Sequence, residues 1–376
     1  ETVQINNVIY SGIIRPGVGY ISLEEFNASA TKELKSALST LKQAGMQKLI
    51  LDLRENPGGL LTQAVDICNL FLAKETKIVE TRGKVEEWNK TYTALNTSFD
   101  SDIPLIILIN GHSASAAEIV AGVMQDYDRA VLIGKKSYGK GLVQVTRDLP
   151  YRTKMKITTA KYYIPSGRCI QAIDYQHKNS DGQAIAYKDS SIKSFKTQNG
   201  RTVVDGGGIL PDILIGKDLM SSSFTQALMK QHMIFLYACH YQKNHPKIAS
   251  AETFVFSEND MNDFQNWLKN QKFTYESPVE KQVRIAIDLA KKDQAYAGLE
   301  TSMSALKSEW SSSTTKELLA HKQEIISLIE QEIILHYYLQ KGVNQWSFSK
   351  DPVILESLNL FNQPQKFQEI LAKKNK

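Results

Sequence analysis

Residues 105–118 read LIILINGHSASAAE, and the rest of the fold follows from this stretch. A short apolar run, Leu105–Asn110, has the length and composition of a strand, and Gly111 to Ser115 then turn the chain into the helical pattern Ala116–Gln125. The same unit stands upstream. Lys48–Arg54 (KLILDLR) ends in the turn Asn56-Pro57-Gly58-Gly59 and leads into a helical pattern through Leu70 and Leu72. Two successive strand-turn-helix units predict an α/β domain with a largely parallel sheet. They also put two glycine- or serine-rich turns at strand C-terminal ends, where open α/β sheets build their sites.

Working outward, Val18–Leu23 reads as a strand, followed by a helix that Ser29 or Thr31 can cap. Leu34, Leu38 and Leu41 share one face of that helix, and Gly45 stops it. Downstream come strand-like pieces at Val131–Ile133, Val143–Val145 and Lys156–Tyr163, then a polar stretch at about 175–205 that reads as a loop or inserted hairpin. Asp205-Gly-Gly-Gly-Ile-Leu-Pro-Asp212 closes the α/β portion with a tight turn. From about Ser221 the pattern is helical. Ser277-Pro278-Val279-Glu280 is a capping box with proline at the first helical position, and a second long helix runs from Thr314 to Lys341 with Gly342 as its stop. The expected organisation is an α/β domain over residues 1–217 and a mainly α-helical C-terminal domain over 218–376, joined near 216–222.

Composition narrows the function classes. A chain of 376 residues exceeds what one core usually serves, and its net charge of +5 is dispersed over 45 basic and 40 acidic residues with no arginine-aromatic stretch, which argues against nucleic-acid binding. No apolar run approaches the roughly 20 residues that cross a bilayer. Cys68, Cys169 and Cys239 lie in no metal-ligand spacing, so no metal is expected, and they allow one disulfide or three thiols.

A serine where a strand passes into a helix is ordinarily an N-cap, but its hydroxyl is also exposed beside the free N–H groups of the first turn, which can hold a developing oxyanion. Ser113 and Ser115 both qualify as nucleophiles, provided a base is near. His112 is too close on the same turn to reach with good geometry. A lysine kept neutral serves instead, and Lys140, between Gly139 and Gly141, sits in a tight turn, whereas Lys135 and Lys136 read as solvated charges. The run Gly134-Lys-Lys-Ser-Tyr-Gly-Lys-Gly141 has the glycine and lysine spacing of a phosphate loop. It places Gly141 where that loop needs Ser or Thr and continues as a strand where a helix should begin, so no nucleotide is expected.

Together these segments resemble the carboxy-terminal processing peptidases, the Ser-Lys family S41, whose catalytic domain has the fold shared with Clp protease and crotonase-type enzymes. The resemblance rests on Asp52-Leu-Arg-Glu-Asn-Pro-Gly-Gly59, Ser113-Ala-Ser-Ala-Ala-Glu-Ile119, Gln125-Asp126 and Tyr138-Gly-Lys-Gly-Leu-Val-Gln144. It continues through Ala160-Lys-Tyr-Tyr-Ile-Pro-Ser-Gly-Arg-Cys-Ile-Gln171 and Gly206-Gly-Gly-Ile-Leu-Pro-Asp212. It implies Ser115 as nucleophile, Lys140 as general base 25 residues later, and Gln144 four further on as the group that orients the lysine. It also implies an oxyanion hole made of the Ala116 N–H and that of Gly58 or Gly59. The implied activity is endopeptidase cleavage, through an acyl-enzyme, of protein or peptide substrates with accessible C-terminal tails. No cofactor is implied. The implied setting is extracytoplasmic, in a bacterial periplasm or cell envelope, with a homo-oligomer left open. Family members usually carry a PDZ module before the catalytic domain, and residues 1–17 are too short for one, so none is expected within this chain. A crotonase-like acyl-coenzyme A enzyme would use the same N–H pair without needing Ser115 and Lys140 together; a non-catalytic scaffold would need none of the three side chains.

Overall fold

The computed structural model describes residues 6–178, 184–186, 192–215, 222–292, 301–302, 305 and 314–372. The chain divides into two compact units, one made of residues 1–216 with 351–376, the other of residues 217–350.

The first unit is built on a six-stranded sheet in the order β1-β2-β3-β6-β7-β14. Its strands are β1 (Val8–Arg15), β2 (Val18–Leu23), β3 (Lys48–Asp52), β6 (Leu105–Ile109), β7 (Val131–Gly134) and β14 (Ile213–Leu214). Only β1 is antiparallel to its neighbour; the rest of the sheet is parallel. Leu105 to Ile109 are all fully buried, because helices cover a parallel sheet on its faces. Helices α1 (Ala30–Gln43), α2 (Leu61–Phe71) and α3 (Ala116–Asp126) supply that cover, and Leu34, Leu38, Phe71, Val120 and Met124 join one core with Leu49, Leu51 and Ile107.

A second, antiparallel sheet in the order β5-β4-β9-β8 stands beside it, from β4 (Lys77–Gly83), β5 (Lys90–Thr93), β8 (Leu142–Asp148) and β9 (Lys154–Tyr163). β8 and β9 coincide with the expected strands at Val143–Val145 and Lys156–Tyr163, whereas β4 and β5 have no counterpart there, because charges such as Lys77, Glu80 and Arg82 break up the apolar signal. Those charges pair with one another along the strand, Lys77 and Arg82 each 2.6 Å from Glu80. In the polar stretch, β10 (Ile173–Lys178) pairs with β11 (Ala184–Ala186), and β12 (Ser194–Lys196) with β13 (Thr202–Val204). The hairpin expectation thus has two counterparts; residues 179–183 and 187–191 lie outside the described residues, as does most of the expected joint, 216–221.

The second unit is helical: α4 (Ser223–Lys230), α5 (Met233–Asn244), α6 (Glu258–Lys269), α7 (Pro278–Lys292), α8 (Thr314–Ala320) and α9 (Lys322–Ser347). Phe224, Tyr237, Phe264, Ile325, Ile329 and Ile333 share its core. The box at residue 277 forms, Ser277 N–H donating to Glu280 at 2.7 Å and Glu280 N–H to Ser277 Oγ at 3.1 Å. Gly342 does not stop the long helix. It lies inside α9, where a Cβ would come within 2.2 Å of Tyr338, and the break in helical dihedrals falls at Leu339.

The expected helical domain ending at 376 also differs at its tail. Helices α10 (Pro352–Phe361) and α11 (Pro364–Leu371) belong to the first unit. Asp351 caps α10 by accepting the Val353 N–H at 2.8 Å, and its other oxygen lies 2.5 Å from the Arg54 guanidinium. Lys48 Nζ donates to the Phe361 carbonyl at 2.7 Å. All three cysteines are free thiols, Cys68 buried and its pKa pushed up by burial.

Candidate active site

The two turns foreseen at strand ends meet. Ser115 directly precedes α3 with φ +56°, a conformation that a non-glycine residue adopts only where its surroundings hold it. Ser113 is different. It is fully buried, its hydroxyl donating to the Leu53 carbonyl at 2.7 Å and accepting the Asn110 N–H at 3.0 Å, so it ties the ends of β3 and β6 together.

The turn after β3 closes over Ser115. Asn56 organises it: its amide donates to the Leu23 carbonyl at 2.7 Å, its side-chain oxygen accepts the Gly58 N–H at 2.8 Å, and its carbonyl accepts the Ala114 N–H at 2.9 Å. Gly58 has φ +96°, and a Cβ there would lie 2.6 Å from the Ala114 carbonyl and 2.8 Å from the Ala116 nitrogen. Gly59 has φ +147° and presses equally close to the Phe26 carbonyl. Both positions therefore require glycine. Among the described residues, neither the Ala116 N–H nor the Gly59 N–H has a hydrogen-bond partner.

Glu118, which the sequence reading quoted only within a motif, is the hub. Fully buried in the first turn of α3, it accepts the Ser115 N–H at 2.9 Å and the Lys140 N–H at 2.8 Å on one oxygen. The other oxygen accepts the Ser137 hydroxyl at 2.5 Å and the Gly139 N–H at 2.6 Å. Burial raises its pKa, opposed by those hydrogen bonds. Tyr162, also buried, donates its hydroxyl to the Lys140 carbonyl and lies 3.3 Å from the Ser115 carbonyl; burial raises its pKa well above the usual phenol value. Two side chains thus bind the backbones of Ser115 and Lys140 to each other across 25 residues of sequence. The sign that could have revealed Glu118 is an acid at the third position of a helix whose neighbours are otherwise Ala, Ile and Val.

Ser115, Ala116, Gly58, Gly59, Lys140 and Gln144 all line one cavity of about 370 Å³. Lys156 lines it too, from β9, without a tie to Ser115. Ser115 and Lys140 are half-buried and Gln144 is exposed on β8. Glu118 holds the Lys140 backbone N–H, while the Lys140 and Gln144 side chains both face the cavity. His112 points away into solvent, 3.8 Å from the exposed Glu55 carboxylate. No group of three or more His, Cys, Asp or Glu among the described residues could hold a metal, and no described helix is long and apolar enough to cross a membrane.

Residues 17–178 match the model of peptidase family S41, and residues 224–361 match the model described as "Probable PDZ-protease, C-terminal helical domain". The carboxyl-terminal-processing protease of Synechocystis sp. (strain ATCC 27184 / PCC 6803 / Kazusa) is 38% identical over 212 residues, 49% of this chain and 49% of that protein. The carboxy-terminal-processing protease of Bartonella bacilliformis is 41% identical over 177 residues, 46% of this chain and 40% of that protein. This chain therefore spans about half the length, or less, of the curated relatives it matches. Among solved structures, a photosystem II D1 C-terminal processing protease aligns with 25% identity and a TM-score of 0.42, covering 58% of this chain and 51% of that one. The strand-turn-helix sheet and the strained serine fall within residues 17–178, the segment that is similar to peptidase family S41.

Proposed function

We propose that the chain is a serine endopeptidase in which Ser115 attacks the peptide carbonyl and Lys140 is the general base. The observation that carries this reading is the shared Glu118 oxygen, which holds the Ser115 and Lys140 backbones within 2.9 Å and 2.8 Å of one acceptor. No comparable tie favours Lys156. Lys140 takes the Ser115 proton as Oγ bonds to the carbonyl carbon. The oxyanion is held by the Ala116 N–H and the Gly59 N–H; Gly59 is favoured over Gly58 because the Gly58 N–H already donates to Asn56. Lys140 then returns its proton to the departing amine, leaving an acyl-enzyme on Ser115, and activates the water that hydrolyses it. Gln144, beside Lys140 in the same cavity, orients the ammonium during these transfers. The substrates are proteins presenting C-terminal tails, and the setting is extracytoplasmic. The first is supported by the carboxyl-terminal-processing proteases this chain is similar to, and the second rests on the family resemblance alone.

The test is cleavage of an unfolded protein substrate by three variants. Lys140→Ala and Ser115→Ala lose about 10³-fold or more in turnover, whereas Lys156→Ala keeps most of it. The opposite order for the two lysines would overturn the assignment of the base.

A further inference from the structure

Three cavities adjoin along the β8–β9 pair, and the one farthest from Ser115 has no role in the chemistry above. The Ser115 cavity and a second one of about 630 Å³ share Pro57, Lys140, Leu142 and Gln144. The second continues past Thr158 and Tyr175, which also wall a third cavity of about 580 Å³; Leu142 lines all three. The third is walled by Val85, Trp88, Ile157 and Tyr175. These four side chains are 40%, 46%, 37% and 58% exposed, a convergence of uncovered apolar surface that scattered surface residues do not produce.

The direction of the path identifies the occupant. Lys140 returns a proton to the departing amine, so the leaving segment of the substrate lies on the Lys140 side of Ser115, away from the Ala116 and Gly59 N–H groups. The second cavity is lined by Lys140 but by none of Ser115, Ala116, Gly58 and Gly59, and it shares Leu142, Thr158 and Tyr175 with the third. Gln144 faces Thr158 across one strand spacing, and Ala160 faces Gly83 across the next, together about 10 Å or roughly three extended residues. We propose that the third cavity is a subsite for an apolar, aromatic-sized side chain located about two to four residues C-terminal to the scissile bond. The inference rests on the peptidase reading. The peptidase unit would then grip the segment it releases through its own sheet.

The experiment uses peptides carrying Phe or Ser in turn at each of the first four positions after the scissile bond. kcat/KM is measured on the wild-type chain and on Trp88→Ser and Ile157→Ser, both at partly exposed positions. One position among the second to fourth should prefer Phe about tenfold or more, and both variants should remove that preference. They should leave unchanged the hydrolysis of a short ester substrate with no residues after the scissile bond. In parallel, the Phe and Ser peptides are titrated into Ser115→Ala by calorimetry, with and without Trp88→Ser. Tighter binding of the Phe peptide that disappears with Trp88→Ser supports the subsite even if cleavage fails, in which case only the peptidase reading falls. A Phe preference that survives both substitutions, or none at any position in either cleavage or binding, overturns the subsite.

Discussion

The two halves of the site are built to different standards. The half that carries the proposed nucleophile, Ser115 with the Asn56–Gly59 turn, grows out of buried parallel strands, and Asn56 alone makes three hydrogen bonds that fix it. The half that carries the proposed base is secured only up to Lys140. Glu118 and Tyr162 hold that residue's backbone from beneath, and four residues on, Gln144 stands exposed on an antiparallel strand whose outer residues face solvent. Rigid placement is thus spent on the atoms that must already be in position when the carbonyl arrives. In the proposed mechanism the Lys140 head and the Gln144 amide settle with substrate.

This contrast is broken most severely at Gly58. Alanine there must hold φ +96° and push a Cβ into the Ala114 carbonyl and the Ala116 nitrogen, so the proposed oxyanion donors shift. We expect Gly58→Ala to lower kcat by about 10²–10³-fold and stability by about 1–3 kcal/mol. Gln144→Ala, on the exposed half, should lower kcat less, with stability changed by no more than about 0.5 kcal/mol. Turnover and denaturant midpoints measured on both variants test the pair; equal losses would erase the distinction between the halves.

Glu118 gives a smaller effect that depends on pH. Because burial raises its pKa, the folded chain binds a proton at this site more tightly than the unfolded chain does. Its contribution to stability is therefore full below the unfolded carboxyl value of about 4.3 and is lost as pH rises through the folded value. Relative to Glu118→Gln, which cannot titrate, the wild-type chain should gain stability between pH 7 and pH 5. Chemical denaturation at the two pH values reads the difference, and a gap that moves in the variant's favour on acidification would contradict it.

The parallel sheet was legible because Leu49–Leu51 and Leu105–Ile109 are unbroken apolar runs, a signal set by burial on both faces. β4 and β5 were not, because half-solvated strands carry charges that pair locally and leave no clean period. The return of residues 351–376 to the first unit depends on Arg54 meeting Asp351 about 300 positions later, which no local pattern encodes. In the site, Ser115 and Lys140 could be singled out from turn chemistry and family spacing. The choice between Gly58 and Gly59 could not, since it turns on whether Asn56 folds back onto the Gly58 N–H. Glu118 was hidden for a similar reason: a buried acid reads as an ordinary helix-start acid until the four donors converging on it are seen.

The central claim is that Ser115, activated by Lys140, is the nucleophile, and covalent labelling tests it most directly. The wild-type chain, Ser113→Ala, Ser115→Ala and Lys140→Ala are each treated with a serine-directed phosphonate, and the adduct is mapped by peptide mass spectrometry. One adduct on Ser115 is expected in the wild type and in Ser113→Ala, none in Ser115→Ala, and labelling slowed by about 10²-fold or more in Lys140→Ala. An adduct on another residue, or labelling of Ser115 at an undiminished rate without Lys140, would contradict the account.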